Sequence, residues 1–265
     1  MTPSRRVWLL ATLAAALWPV WRWMAHRFAD GSGDRWEWLA AATAVAVLVR
    51  DRSLMPRHGG AVNLWMPVAL LVAYAVSYNQ LSPLPRALLA MAALGTASSA
   101  SWYGKRVDVA LCGLLLISLP VMASLNFYVG YPLRVVAGSI AEALLQLNGI
   151  AAVREGAQLQ WNGQIVAIDA PCSGVKMLWT GAYLSLSLAA MMRLSDLRTL
   201  ALLGCSALVV MLANAFRATS LFYVEAGFIQ APDQLHDAVG VVMFAFAAAT
   251  VFALARTLAG SDRAF

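Results

Sequence analysis

Three polar residues that could take part in covalent chemistry stand at the edges of long apolar stretches: Cys172, Arg217 and His236. A thiolate nucleophile, a cationic stabiliser and a general base are the groups needed for acyl transfer through a thioester. Each residue taken singly also has a simpler structural interpretation. Their joint significance therefore depends on the elements that position them.

Cys172 lies in the run Asp169-Ala-Pro-Cys-Ser-Gly, where Pro171 and Gly174 favour a tight turn into a following helix. A helix N-terminus lowers the pKa of a thiol and supplies free backbone N–H groups for an oxyanion. Lys176, one turn later, is a candidate for favouring the ionised form of the Cys172 thiol. Asp169 is a candidate for orienting another residue of the site. The alternatives are a cysteine that is a small buried apolar residue and a lysine that snorkels to the membrane surface.

Arg217 lies within an apolar stretch and shares a helix face with Asn214, three residues earlier. A guanidinium inside a span costs about 2.5–3.5 kcal/mol on insertion scales, so it is expected to face the protein interior, or else to snorkel to the headgroups. His236 and Asp237 open the last apolar stretch. Asp237 is expected to orient the imidazole or to complement the helix N-terminus, and His236 is alternatively a solvated helix-start residue.

The composition identifies the environment of these residues. Of the 265 residues, 61% are hydrophobic and only 12% are charged, which is typical of a polytopic membrane protein and not of a soluble enzyme. The net charge of +6 also occurs in nucleic-acid binders, but in a membrane protein Lys and Arg accumulate in cytoplasmic loops, so no nucleic-acid partner is predicted. The sequence has no Gly-rich phosphate loop, His-Glu-x-x-His or Cys-x-x-Cys motif, and therefore predicts no metal and no cofactor.

The apolar stretches predict an all-α polytopic membrane protein that forms a single domain over residues 1–265, with about eight transmembrane helices. The predicted spans are residues 7–24, 35–49, 61–78, 84–103, 107–127, 174–192, 197–223 and 238–258. Positive clusters near Arg5, Arg50, Lys105, Arg193 and Arg256 all fall on one side of this arrangement. By the positive-inside rule both termini are cytoplasmic, and the three candidate residues lie on the opposite, outer face of the membrane. Consecutive antiparallel helices tend to be neighbours, so the three residues are expected to converge there.

Residues 128–172 are predicted to form a small outward-facing subdomain that precedes Cys172. Apolar residues at helical spacing over Arg134–Leu147 indicate a surface helix. Residues 158–161 and 164–168, joined by Asn162-Gly163, indicate a β-hairpin. The alternative is a plug that only covers helix ends.

The order and spacing of Pro171-Cys172-Ser173-Gly174, Asn214-Ala-Phe-Arg217 and His236 resemble the exosortase and archaeosortase family of membrane cysteine transpeptidases. The similarity extends from about Leu64 to Leu258. The resemblance implies that Cys172 is the nucleophile, His236 the general acid and base, and Arg217 the stabiliser of the transition state. It gives Asn214 a positioning role.

The resemblance also implies a function. Members of this family are thought to recognise a C-terminal sorting tail on exported proteins, consisting of a short motif such as Pro-Glu-Pro, one transmembrane helix and a basic cluster. Cleavage on the periplasmic side of the bacterial inner membrane is expected to pass the acyl group to an acceptor, with the backbone N–H groups near Ser173 and Gly174 binding the oxyanion. The alternatives are a non-catalytic component of a polysaccharide-export or secretion complex and a small-solute transporter. A transporter typically has repeated halves or broken helices, and the sequence indicates neither.

Overall fold

The computed structural model describes residues 3–31, 36–55, 63–168, 173–229, 232 and 234–260. Asp169 and Cys172 lie outside these residues, as do the starts of the predicted spans at 35 and 61. His236 lies within a described helix, although its side chain is outside the described part of the chain.

Within the described residues the chain forms ten α-helices and one antiparallel sheet of three strands. The helices are α1 Pro3–Ala16, α2 Trp18–Ala29, α3 Trp38–Arg50, α4 Trp65–Val76, α5 Pro83–Tyr103, α6 Val109–Ile117, α7 Met122–Leu147, α8 Val175–Met192, α9 Asp196–Glu225 and α10 Gln234–Gly260. The strands are β1 Val153–Glu155, β2 Gln158–Trp161 and β3 Gln164–Ala167, in the order β1-β2-β3. The predicted mostly helical architecture is confirmed.

Three helices in the described part of the chain are long and apolar enough to cross a membrane: α8, α9 and the Asp237–Gly260 part of α10. The number rises to five if the bent pairs α1 with α2 and α6 with α7 each count as one span. The predicted eight spans are therefore not confirmed. Helices α3 and α4, with 13 and 12 residues, fall short of the roughly 20 residues that a hydrocarbon core requires.

Two predicted spans are interrupted where the sequence analysis expects continuous helices. The predicted span 7–24 bends by 58° at Leu17, immediately before the Trp18-Pro19 start of α2. The predicted span 107–127 is interrupted between Ile117 and Met122, around Pro120. Proline has no N–H to donate and restricts the residue before it, which explains why a helix ends at each place. Broken helices, absent from the sequence-based expectation, are thus part of the fold.

The chain divides into two compact units, residues 1–121 with 186–199 and residues 122–185 with 200–265. Helices α8 and α9 each contribute residues to both units. The assignment of one domain to residues 1–265 stays a prediction.

In the first unit, buried serine hydroxyls in the middle of α5 form hydrogen bonds within their own helix. Ser98 and Ser99 donate their hydroxyls to the carbonyls of Leu94 and Gly95, at 2.7 and 2.8 Å. Small side chains here let α6 approach closely, since a Cβ on Gly95 would lie 2.9 Å from the sulfur of Cys112. Cys112 is therefore a packing residue of the α5 and α6 contact.

An ion cluster centred on Asp51 joins three positively charged segments of the first unit. Asp51 is 1% exposed, pairs with Arg50 at 2.9 Å and Arg193 at 2.8 Å, and accepts a hydrogen bond from Tyr103 at 3.0 Å. Lys105 bridges Asp108 and Asp196, at 3.7 Å each. The segments that follow α3, α5 and α8, which the charge distribution assigned to one side of the membrane, therefore lie at the same end of this unit.

We expect Asp51→Asn to destabilise the first unit by about 1–3 kcal/mol, because it leaves Arg50 and Arg193 without their carboxylate. Burial acts to raise the pKa of Asp51, but hydrogen bonds from Arg50, Arg193 and Tyr103 outweigh it and hold the pKa below its ordinary value. The ionised carboxylate thus contributes stability above about pH 4, and this contribution is lost as the pH falls through the folded-state pKa. Thermal unfolding of the detergent-solubilised protein at several pH values measures both effects. Arg52→Ala, which removes an exposed charge from the same turn, is the control and should change little.

In the second unit the sheet packs against α7 and α9. Its buried cluster is formed by residues from the helices, the strands and their connections: Ala141, Leu145, Ala152, Leu159, Val166, Ile168, Ala218 and Phe222. Glu142 of α7 accepts a hydrogen bond from the backbone N–H of Arg154 in β1, at 2.9 Å. The sheet is therefore attached to the helix that precedes it and to the helix that carries Arg217.

The predicted hairpin is confirmed. Trp161 pairs with Gln164, and Asn162 and Gly163 between them have φ angles of +47° and +78°. These are the positive angles that a two-residue hairpin turn requires, which Asn-Gly adopts readily. The predicted surface helix over Arg134–Leu147 is the C-terminal half of the 26-residue α7, which begins at Met122 and continues through Pro132.

Candidate active site

The segment that follows Cys172 forms the start of α8. The carbonyl of Gly174 accepts the N–H of Leu178 at 2.8 Å, the first hydrogen bond of that helix. Gly174 has a φ of +76°, which a residue with a Cβ rarely adopts. Gly174 therefore begins the hydrogen bonding of α8 two residues after Cys172 in the sequence, whereas most of the turn predicted over residues 169–174 lies outside the described residues.

Asn214 of α9 lies against this turn. A Cβ built on Gly174 would lie 2.9 Å from both Cγ and Nδ2 of Asn214, so the carboxamide occupies the space that a side chain at 174 would need. Asn214 is 3% exposed and Ser173 is 4% exposed. The structure therefore brings the predicted supporting residues Ser173, Gly174 and Asn214 together in a buried contact.

Arg217 lies against α10, one turn further along α9 from Asn214. A Cβ on Gly240 would lie 3.2 Å from Nε and 3.5 Å from Cζ of Arg217, so the guanidinium packs on the backbone of α10. Gly240 comes four residues, or about one helical turn, after His236. Since positions four apart share a helix face, residue 236 lies on the same face of α10 as the contact with Arg217.

Apolar packing holds the three helices together near these contacts. Val210 and Ala213 of α9 form a buried cluster with Ala247 of α10, and Leu178 of α8 packs against it. A Cβ on Gly181 of α8 would lie 2.8 Å from Cγ2 of Val210, so α8 and α9 approach closely. The elements that carry the candidate residues are therefore in direct contact within one unit.

A cavity of about 270 Å³, its mouth included, adjoins the contact between Gly174 and Asn214. Its remaining lining is Ser173 together with Leu133, Val136, Ala137, Leu178, Val210 and Met211. The α7 residues of this lining are not predicted from the sequence, because the apolar spacing over residues 134–147 predicts a helix on the membrane surface. Their apolar spacing was visible, but the spacing of one helix does not identify its partner.

The other predicted supporting residues lie elsewhere or outside the described part of the chain. Lys176 has an exposed side chain and does not line the cavity. Asp237 is exposed in the first turn of α10. Asp169 lies outside the described residues, as does Cys172. Within the described residues no cluster of His, Cys, Asp or Glu has the arrangement of a metal site.

Comparison with protein families decides the relationship of this chain. The family model described as transmembrane exosortase matches residues 23–253. The chain belongs to the transmembrane exosortase family. The match covers most of this exosortase, including every candidate residue, and confirms the resemblance seen in the motifs. Comparison with curated proteins and with solved structures finds no significant match.

We expect Gly174→Ala to reduce the activity of this exosortase by about 10-fold or more, because an alanine methyl would displace the Asn214 side chain and strain a positive φ. The rate of substrate cleavage at matched membrane levels measures the effect. Gly204→Ala is the matched control, since a Cβ at Gly204 of α9 meets nothing within 4 Å. A Gly174→Ala variant as active as Gly204→Ala would show that the contact with Asn214 is not needed for activity.

Proposed function

We propose that this exosortase is an integral-membrane cysteine protease and transpeptidase that cleaves a C-terminal sorting tail from exported proteins. One observation carries the proposal: the turn after Cys172 packs against Asn214, and Arg217, on the same helix, packs one turn after His236. Three motifs that are distant in sequence thus belong to helices in contact. A non-catalytic scaffold would not require that the helices carrying these three motifs be neighbours.

In the proposed mechanism the substrate's transmembrane helix docks in the bilayer and presents its outer flank to the site. The Cys172 thiolate attacks the carbonyl carbon of the scissile peptide bond and forms a tetrahedral oxyanion. Arg217 and backbone N–H groups at the start of α8 stabilise this oxyanion, an effect worth about 3–4 kcal/mol for a well-placed donor.

Collapse of the intermediate breaks the C–N bond and leaves a thioester on Cys172. His236 gives a proton to the departing amine, a contribution of about 10²–10⁴-fold to the rate. It then takes a proton from the acceptor nucleophile, or from water, as that group attacks the thioester. The thiolate leaves and the enzyme is regenerated.

The proposed setting is the bacterial inner membrane, with cytoplasmic termini and the site facing the periplasm. The proposed partners are the bilayer and a membrane-anchored protein that ends in a short motif, one apolar helix and a basic cluster. The acceptor is a nucleophile of the outer compartment.

The experiment co-expresses the chain with an exported reporter that carries such a tail. Loss of the tail and a new C-terminus on the reporter, seen by mass spectrometry, are the expected results. A reporter whose short motif is scrambled but whose helix and basic cluster are kept is the matched control and should stay intact. If the reporter with the intact motif also keeps its tail, the proposal is contradicted. The alternatives are then a component of an export complex and a transporter.

A further inference from the structure

The cavity beside Gly174 is placed to contact a substrate at the scissile bond, given the proposed function on which this inference rests. Gly174 is two residues from Cys172, so their Cα atoms are at most about 7 Å apart. Successive residues of an extended peptide are about 3.3 Å apart. A peptide whose carbonyl lies at the Cys172 sulfur therefore has its neighbouring side chains within reach of the cavity.

The chemistry of the lining is apolar. Leu133, Val136 and Ala137 come from α7, Leu178 from α8, and Val210 and Met211 from α9. The only side-chain polar groups in the lining are the hydroxyl of Ser173 and the carboxamide of Asn214, and no charged residue of the described chain lines it. A charged side chain would lose its hydration there without gaining a counter-ion, which excludes Asp, Glu, Lys and Arg as occupants.

The size of the cavity limits the occupant further. Its volume of about 270 Å³ includes open solvent at the mouth, and the enclosed part has room for little more than one water molecule. The enclosed space is therefore suited at most to one small side chain. Ala137 and Met211 both line the cavity. Ala137 is 4% exposed, so its methyl group forms part of the cavity wall. Met211 has a longer side chain and is partly buried.

We propose that this cavity is a specificity pocket that accepts one small, uncharged apolar side chain of the substrate next to the scissile bond, and that Ala137 and Met211 set its size limit. The two methyl groups that Ala137→Val adds narrow the pocket. Truncation of Met211 to alanine widens it.

The test measures cleavage of a processed substrate whose residues flanking the scissile bond are replaced, one at a time, by Ala, Val, Phe and Asp. At one flanking position the wild-type enzyme should cleave the Ala form at least about 10-fold faster than the Phe and Asp forms. Met211→Ala should raise the Phe-to-Ala rate ratio about 10-fold, and Ala137→Val should lower the Val-to-Ala ratio. Ratios are used because a variant with a merely damaged fold slows every substrate alike.

Two controls match these variants. Ala143→Val adds the same methyl groups to an exposed position of α7, and Met191→Ala truncates an exposed methionine of α8. Both should leave the ratios unchanged. If cleavage depends on Cys172 but neither Met211→Ala nor Ala137→Val changes the rate ratios between substrates, the proposed specificity pocket is wrong and the proposed function still holds. Absence of any Cys172-dependent cleavage would overturn the proposed function, and the pocket with it.

Discussion

Replacing Cys172 with alanine is expected to abolish tail cleavage, lowering the rate by at least about 10³-fold, because the thioester can no longer form. Cys172→Ser should also be severely impaired, since a hydroxyl is far less ionised than a thiol and is a weaker nucleophile at neutral pH. Pulse-chase analysis of the tailed substrate in cells measures the rate, with variant levels in the membrane matched by immunoblot.

The other two cysteines provide the controls for this prediction. Cys112→Ala changes a buried packing residue beside Gly95, and Cys205→Ala changes an exposed thiol of α9. Both variants should cleave at close to the wild-type rate wherever they accumulate normally. Cleavage by Cys172→Ala at a rate similar to Cys205→Ala would refute the role of Cys172 as nucleophile.

Replacing Arg217 with alanine is expected to lower kcat by about 10²–10³-fold, the usual cost of losing one well-placed oxyanion donor. KM should change little, because the interaction is made mainly in the transition state. Arg217→Lys should recover part of the loss, since it keeps the charge and loses the planar fork of donors. Purified enzyme in lipid nanodiscs with a tailed peptide gives kcat and KM separately.

Gly240→Ala tests the same position from the partner helix. Its methyl would meet Nε of Arg217 at 3.2 Å and push the guanidinium by a few tenths of an ångström, so a smaller, several-fold loss of kcat is expected. Arg256→Ala, an exposed arginine near the end of α10, is the control. An Arg217→Ala enzyme with normal kcat would instead favour the snorkelling alternative, in which the arginine only anchors its helix at the headgroups.

The parts of the fold that the sequence predicts well are those set by local chemistry. Asn162-Gly163 specifies its hairpin because few other dipeptides adopt two positive φ angles without strain. Helices α8, α9 and α10 follow from long apolar runs. Strand β1 escapes prediction because Val153-Arg-Glu is short and mostly polar, and it becomes a strand only by pairing with β2.

The rest depends on contacts between distant residues, which no local pattern encodes. The motifs identify Asn214 and Arg217 as candidates. They do not reveal that these residues pack against Gly174 and Gly240, because a glycine has no side chain whose chemistry would indicate a partner. The same reason hides the cavity, since Val136 and Ala137 of α7 gain their role only when α8 and α9 lie opposite. Likewise, Pro19 and Pro120 are visible in the sequence, but apolar length alone does not reveal that the helices end there.

An acyl-enzyme on Cys172 is tested most directly by mass spectrometry of the enzyme quenched in acid during turnover of a tailed substrate. We expect the peptide containing Cys172 to gain the mass of the substrate fragment on the N-terminal side of the cut. Neutral hydroxylamine should remove this mass and release the fragment as a hydroxamate. Active enzyme that shows no such adduct, or that carries it on Ser173 or another residue, would contradict the role of Cys172 as the nucleophile.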